Sequence, residues 1–390
     1  MAVYGIVAEY NPFHNGHYYQ IRQLKKSPED AVVVAMSPNV VQRGDFALFD
    51  KWTRAQAALQ CGADLIVEIP SRCVLSSAEG YARGALSVLA ALGFVEFLCF
   101  GSECGELDAL RKVAALTEDP LANRQLQAQL SAGVPYAGAR SAAIGQLCPE
   151  LSDVLNHPND ILGVEYLRAI RSMHLDLQPV ALRRIGTAHH GQTQGDYASA
   201  GYLRQHLTSQ NLRRYLPPAA AQIFEDACRC GRFSSGLQSL SDALLLQLRI
   251  TPSQELARLP EMSEGLENRM VRAAATSQDF EQLCRQIKTR RYPMTRICRT
   301  LMAALLSLYE PAPTAPLPFV RVLGMTQRGE RLLSRSGNTP IIASLKKAQR
   351  LGDGACQLAA VEEKCTAAFS LTLKNRAAAQ NEFTAPLLRA

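Results

Sequence analysis

The sequence predicts an α/β fold, a parallel sheet with helices on both faces, joined to a mainly α-helical C-terminal domain. Two patterns carry this expectation. Short apolar runs, too brief for globular helices, begin at Val3 and recur at 31–36, 65–69, 97–100 and 177–185, with segments of helical spacing between them. From Pro217 onward strand signals are sparse and helical periodicity dominates 219–308, which places a domain boundary near residue 215 and gives domains 1–215 and 216–390.

The first run, Val3-Tyr4-Gly5-Ile6-Val7-Ala8, ends at an Asn11-Pro12 turn, and His14, Gly16 and His17 follow before an amphipathic helix expected over 18–26. The histidines thus fall at a strand-to-helix junction, where unpaired N–H groups and the helix dipole favour phosphate. Three positions apart, they share a helix face and can address one ligand. Gly16 lets a base or phosphate approach the backbone. An isolated H-x-G-H is as easily a capped turn; its place after the first strand of an α/β domain favours a nucleotide triphosphate.

Further along, 31–36 (AVVVAM) and 65–69 (LIVEI) read as buried strands, 51–61 and 78–92 as helices, and 97–100 as a strand ending at Gly101-Ser102-Glu103. Ligands of parallel sheets bind at the carboxyl ends of the strands, where His14, Asn39 and Gly101 fall. Helix is expected over 106–130, broken at Asp119-Pro120, and again up to Glu150. In His157-Pro158-Asn159-Asp160, Asn159 reads as a helix N-cap. The strand at 177–185 delivers Arg183 and Arg184 to a loop at 186–191, and alternation along the strand lets only one of them reach the site. Ser199 precedes a helix and reads equally as a cap or a ligand.

The segment KTRRYPMTRICR carries Lys288, Arg290, Arg291, Arg296 and Arg299 with Tyr292 and no acid. Such density is most often a solvated helix face; the missing acids and the tyrosine favour RNA contact. A strand is expected at 319–323 after the proline-rich 311–318, then a basic segment, then ordinary helix beyond Val361.

At 390 residues, 47% hydrophobic and 20% charged, the chain reads as a globular protein of two or three domains. No apolar run approaches the ~18–20 residues of a membrane span. The first strand begins at the N-terminus with no signal peptide before it, so a cytoplasmic location is expected. The 11 cysteines are odd in number and scattered without a C-x-x-C, and read as free thiols with no metal site. A net charge of +7, with acid-poor basic stretches late in the chain, favours a polyanionic partner.

The strand followed by H-x-G-H resembles the Rossmann-like adenylyl/cytidylyltransferase superfamily. Along nearly its whole length the chain resembles, more specifically, the bacterial tRNA(Met) cytidine acetate ligases, through GIVAEYNPFHNGH, NVVQRGDFALFDKWTRAQAAL, GADLIVEIP, FGSE, HPNDILGVEYL, Arg184-Ile185-Gly186, SEGLENR and KTRRYPMTRICR. Pro38 stands where that family carries glycine. The resemblance implies that ATP and acetate form acetyl-adenylate, which acetylates N4 of the wobble cytidine of elongator tRNA(Met), with Mg²⁺ accompanying ATP. It implies a nucleotide-binding run of Val7, Ala8, Glu9, Tyr10, Asn11, Pro12, Phe13, His14, Asn15, Gly16 and His17, with His14 and His17 catalytic. Gly101 and Asn159 would seat the adenosine, and Arg184, Ile185, Ser199 and Arg204 would lie against the nucleotide and its pyrophosphate. Lys51 and Arg43 are candidates for phosphate or tRNA. Two rivals are an adenylyltransferase for a small phosphorylated metabolite and a non-catalytic RNA-binding protein.

Overall fold

A computed structural model describes residues 1–185, 193–263, 265–313 and 316–390. The loop expected at 186–191 lies outside them. The strands are β1 (Val3–Ala8), β2 (Ala31–Met36), β3 (Val40–Val41), β4 (Asp45–Phe46), β5 (Leu65–Glu68), β6 (Phe97–Ser102), β7 (Gln178–Arg183), β8 (Val320–Met325), β9 (Ile341–Ile342) and β10 (Leu388–Arg389). β3 and β4 form a small antiparallel hairpin; the main sheet runs β10-β8-β5-β2-β1-β6-β7, with β9 on β8.

The five strands from β5 to β7 are mutually parallel, as the alternation of runs and helical segments requires. Every residue of β2 is buried, because helices cover both faces. Val3, Val33, Val67 and Leu98 pack toward one face, which the Ala78–Leu92 and Pro158–Ser172 helices cover. Ile6, Val34, Ile66 and Cys99 pack toward the other, under the Asn15–Leu24, Lys51–Gln60 and Pro218–Arg229 helices. β2 and β5 lie on one side of β1, β6 and β7 on the other, so the winding reverses at β1 and a crevice opens at its carboxyl end.

The boundary expected near 215 is not where the fold divides. The Pro218–Arg229 helix packs in the core beside the first two helices, and β8 joins the edge of β5 in antiparallel register. The chain beyond Val361 is not only helix: after the Asp353–Thr372 helix it runs back across the sheet and ends as β10 on β8. A short apolar run announces a strand, but its partner strand is set by long-range packing that sequence spacing does not encode.

Buried ion pairs fasten this return. Lys51 Nζ bonds Glu68 and, at 2.6 Å, Glu382, while Arg321 in β8 bonds Glu68 at 3.1 Å and also Glu382. All four side chains are no more than 3% exposed. Lys51 is therefore no phosphate or tRNA ligand: its charge is consumed inside the protein. Asn39 is likewise internal, accepting from the Lys51 N–H at 2.8 Å and donating to Thr366 Oγ1 at 2.9 Å, instead of lining the crevice.

The hairpin of β3 and β4 presses against the Met294–Leu305 helix. Gly44 at its turn has φ +78°, and a Cβ there would sit 2.3 Å from the Arg299 backbone nitrogen. Gly44→Ala is expected to cost about 2–3 kcal/mol from left-handed strain and overpacking together, read as a lower denaturant midpoint at unchanged slope.

Candidate active site

Beyond β1 the chain turns through Tyr10 at φ +47°. The turn is held by the Asn11 side chain, which accepts from Leu48 N–H at 2.7 Å, and by Arg204, which donates to the Asn11 carbonyl at 2.8 Å. His14 then caps the Asn15–Leu24 helix. Its Nδ1 accepts from Gly16 N–H at 3.1 Å, and His17 Nδ1 accepts in turn from His14 N–H at 3.2 Å, a capping box built from two histidines. The rings stack with centroids 3.7 Å apart, and Tyr10 and Phe13 hold the His17 ring from its other sides.

This geometry sets the proton positions. A neutral imidazole whose Nδ1 accepts carries its hydrogen on Nε2. Both rings therefore offer an Nε2–H donor, while their other nitrogens are occupied by the helix end. Gly16 has a different purpose from the one its spacing predicts. A Cβ there would lie 3.0 Å from His14 Cε1, so the glycine makes room for the His14 ring. Asn15, expected among the nucleotide contacts, donates to the Asp196 carbonyl at 2.8 Å and ties the helix start to the segment before Ser199.

Burial, then the nearby charges of Arg184 and Arg204, push the His14 pKa down to about 3; burial and the neighbouring His14 and Arg184 lower that of His17. Both rings are neutral donors at physiological pH in the free protein. The folded state thus resists protons that the unfolded chain takes up below pH ~6.5. His14 stabilises the fold fully above that value and progressively less below it, by about 1.4 kcal/mol per unit of pH. Between pH 7.5 and 5.5 the wild type is expected to lose more stability than His14→Asn, as measured by denaturant titration at both pH values.

Arg184 faces the histidines and Arg183 does not. The Arg184 N–H continues the β6–β7 ladder to Ser102 O at 2.9 Å, and its stem crosses Gly101, where a Cβ would lie 3.3 Å from Cγ. Gly101 is therefore glycine so that this arginine can lie across β6 toward the crevice. Arg183 packs against Gly105 instead. Ile185 follows, half-buried, at the end of this described stretch. Arg204 is close enough to Glu9, Arg43 and Asp45 to feel their charges, so Arg43, exposed at the hairpin tip, borders the same crevice. Ser199 caps its short helix by accepting from Tyr202 N–H at 3.1 Å, the structural role open to it from the sequence.

Asn159 is not the N-cap. The helix begins at Pro158 with His157 before it, and the Asn159 amide donates to Glu103 at 2.5 Å. Glu103 also accepts the Asp160 N–H at 3.0 Å, and buried Asp160 accepts the N–H groups of Glu103 and Cys104 and the Ser102 hydroxyl. Two loops thus cap each other reciprocally, which fixes Asn159 beside the end of β6. The pairing of FGSE with HPND carried this signal, since each supplies a carboxylate to the other's free N–H groups.

Arg54 is the residue sequence reasoning missed. Fully buried, its guanidinium donates to the carbonyls of Phe49, Glu9, Ser37 and Pro38, and so ties together the carboxyl ends of β1 and β2 beside the crevice. Its only trace in the sequence is an arginine on the alanine-rich face of a helix. Pro38 is accommodated here, because the bond from Arg54 uses its carbonyl and not the N–H that proline lacks.

In the helical part, Lys288, Arg290 and Arg291 are exposed, on a loop between the Phe280–Ile287 and Met294–Leu305 helices. Together with Arg272, Asn268 and Thr289, Arg290 and Arg291 line a cleft of about 820 Å³. Arg299 is turned inward and pairs with Glu261 at 2.7 Å, only 8% exposed, and Arg296 donates to the Glu261 carbonyl and Ser263. Those two arginines anchor the helix, and Arg299 leaves the set expected to face RNA. All 11 cysteines are free. Among the described residues no cluster of three His, Cys, Asp or Glu side chains could hold a metal, and no helix is long and apolar enough to cross a membrane.

The HIGH Nucleotidyl Transferase family matches residues 1–383. A tRNA(Met) cytidine acetate ligase of Thermoanaerobacter sp. is 31% identical over the whole of both chains. That of Syntrophotalea carbinolica is 37% identical, covering 89% of this chain and 86% of its own. The crystal structure of Thermotoga maritima TmcAL bound with alpha-thio ATP superposes with a TM-score of 0.89 at 27% identity, over 100% of both chains. By sequence along its length and by fold, the chain belongs to the tRNA(Met) cytidine acetate ligase family of HIGH nucleotidyl transferases.

Proposed function

We infer that the protein is an ATP-dependent acetate ligase that acetylates N4 of the wobble cytidine of elongator tRNA(Met) through acetyl-adenylate. The observation that carries this reading is the pair of stacked neutral histidines, with their Nε2–H groups free for phosphate, set among Arg184, Arg204 and Arg43 at the crest of β1. Acetate is a poor acyl donor because its leaving group would be oxide. Attack of its carboxylate on the α-phosphate of ATP, with pyrophosphate leaving, converts it to a mixed anhydride.

Charge accumulates on the phosphate oxygens during that displacement, and the histidine donors and arginines stabilise it where it develops. Gly101 and Asn159 seat the adenosine on the β6 side, and Arg184 crosses from there to the phosphates. Mg²⁺ would enter with ATP and would neutralise charge on its phosphates beside Arg184 and Arg204. The cytidine is turned out of the anticodon stack into the crevice, while Lys288, Arg290, Arg291 and Arg272 hold the RNA backbone. A cytoplasmic location follows from that substrate.

The test is exchange of labelled pyrophosphate into ATP, followed by transfer of labelled acetate to tRNA. Exchange that requires acetate, and label retained on elongator tRNA(Met) but not on other tRNAs, is the expected result. Exchange indifferent to acetate would return the protein to the metabolite adenylyltransferases. Arg290→Glu with Arg291→Glu is expected to weaken tRNA binding about tenfold or more, with a shallower salt dependence, while leaving acetate-dependent exchange intact.

A further inference from the structure

Making the anhydride is half of the reaction; the other half starts from a poor nucleophile. The exocyclic amine of cytosine has its lone pair delocalised into the ring, and once it has attacked a carbonyl it must lose a proton. A positioned base speeds such a step by about 10²–10⁴-fold.

Resting on the acetate-ligase reading, we propose that Glu9 is the base that takes the proton from cytidine N4 as the acetyl group transfers. Glu9 follows the last residue of β1 and stands half-buried at the crest of the central strand. One carboxylate oxygen accepts from the Gln42 N–H at 2.8 Å, which holds the side chain against the hairpin loop on the β2 side. The nucleotide residues Gly101, Asn159 and Arg184 belong to β6, β7 and the Pro158–Ser172 helix, across β1 from that loop. With ATP on the β6 side, the β2 side is left for acetate and the incoming base, and Glu9 stands between the two.

A carboxylate beside a triphosphate site opposes nucleotide binding, so its place there needs a chemical reason. Asp45, the other acid near Arg204, accepts the N–H groups of Leu237 and Phe46 through Oδ1, and so caps the backbone around the hairpin. The Glu9 carboxylate accepts one hydrogen bond among the described residues, through Oε1, and keeps its second oxygen available. The charged and titratable groups around it are the guanidiniums of Arg54 and Arg204 and the hydroxyls of Tyr81 and Tyr166.

In the step, the N4 lone pair forms a bond to the acetyl carbon and the carbonyl π pair moves to oxygen. The N4 proton passes to the Glu9 carboxylate. The carbonyl re-forms, the bond from the acetyl carbon to the phosphate oxygen breaks, and AMP leaves with that electron pair. Glu9 then gives its proton to water.

Glu9→Gln keeps the acceptor for Gln42 and removes only the charge and basicity. The readout is the ratio of single-turnover acetyl transfer to tRNA over acetate-dependent pyrophosphate exchange, expected to fall by 100-fold or more. Hydroxylamine, an amine that needs no base, is expected to capture the acetyl group in the variant as hydroxamate at the rate of exchange. Glu9→Asp, which keeps the charge but withdraws it by one methylene, should lower the ratio about tenfold, and decides the matter if the glutamine variant does not fold. An unchanged ratio in either folded variant overturns the proposal, and so does parallel loss of exchange and transfer in Glu9→Gln. Absence of acetate-dependent exchange in the wild type instead overturns the ligase reading beneath it.

Discussion

Lys51→Met is expected to lower the unfolding free energy by about 3–5 kcal/mol. Removing the ammonium leaves Glu68 and Glu382 sharing only Arg321, two carboxylates against one cation, in a site closed to water. An uncompensated buried charge is costly because the interior cannot solvate it. Glu382 lies on the segment that returns to form β10, so the weakened pairing should also loosen that segment and raise the amide exchange of Leu388 and Arg389. Combining Lys51→Met with Glu382→Gln removes one charge of each sign, and should recover much of the loss, with a coupling energy of about 1–3 kcal/mol in the double-mutant cycle. A Lys51→Met protein of wild-type stability that has lost ATP or tRNA binding would instead restore the ligand role its sequence position offered.

That contrast shows where the sequence is legible and where it is not. β1, β2 and the Ala78–Leu92 helix lie where their local patterns put them, because burial on both faces leaves an uninterrupted apolar run and an amphipathic helix leaves its period. His14 and His17 are readable because their spacing after the first strand is itself what brings both to one helix end. Lys51 and Arg299 look the same in sequence as Arg290: each is a basic residue in a basic or polar stretch. What separates them is a carboxylate far along the chain, Glu382 for Lys51 and Glu261 for Arg299. Arg54 is illegible for the same reason, since its partners are backbone carbonyls, and any residue has one. The domain boundary failed because β8 advertises a strand without naming its neighbour.

His17→Ala is expected to reduce acetate-dependent pyrophosphate exchange by about 10²–10³-fold, the usual consequence of deleting one preorganised donor to a developing oxyanion. The loss should fall on the turnover rate more than on the KM for ATP, because the donor is worth most when charge builds on the phosphates and Arg184 and Arg204 still bind the ground state. The substitution also leaves the His14 N–H, which His17 now satisfies, without that partner at a largely buried helix end, a cost of about 1–3 kcal/mol that the fold is expected to survive. The pH dependence separates a neutral donor from a cationic one. Burial, the neighbouring ring and Arg184 lower the His17 pKa, so in the free enzyme the rate carries no limb at the ordinary histidine value near 6.5. A cationic His17 would lose its proton as pH rises through that range, and exchange would fall with it. Flat exchange kcat/KM for ATP between pH 6.5 and 8.5 in the wild type, with a uniformly lower line for His17→Ala, is the outcome this geometry requires. An alkaline decline in the wild type that is absent from the variant would mean the rings act as imidazolium, and that the hydrogen bonds to both Nδ1 atoms do not persist when ATP binds.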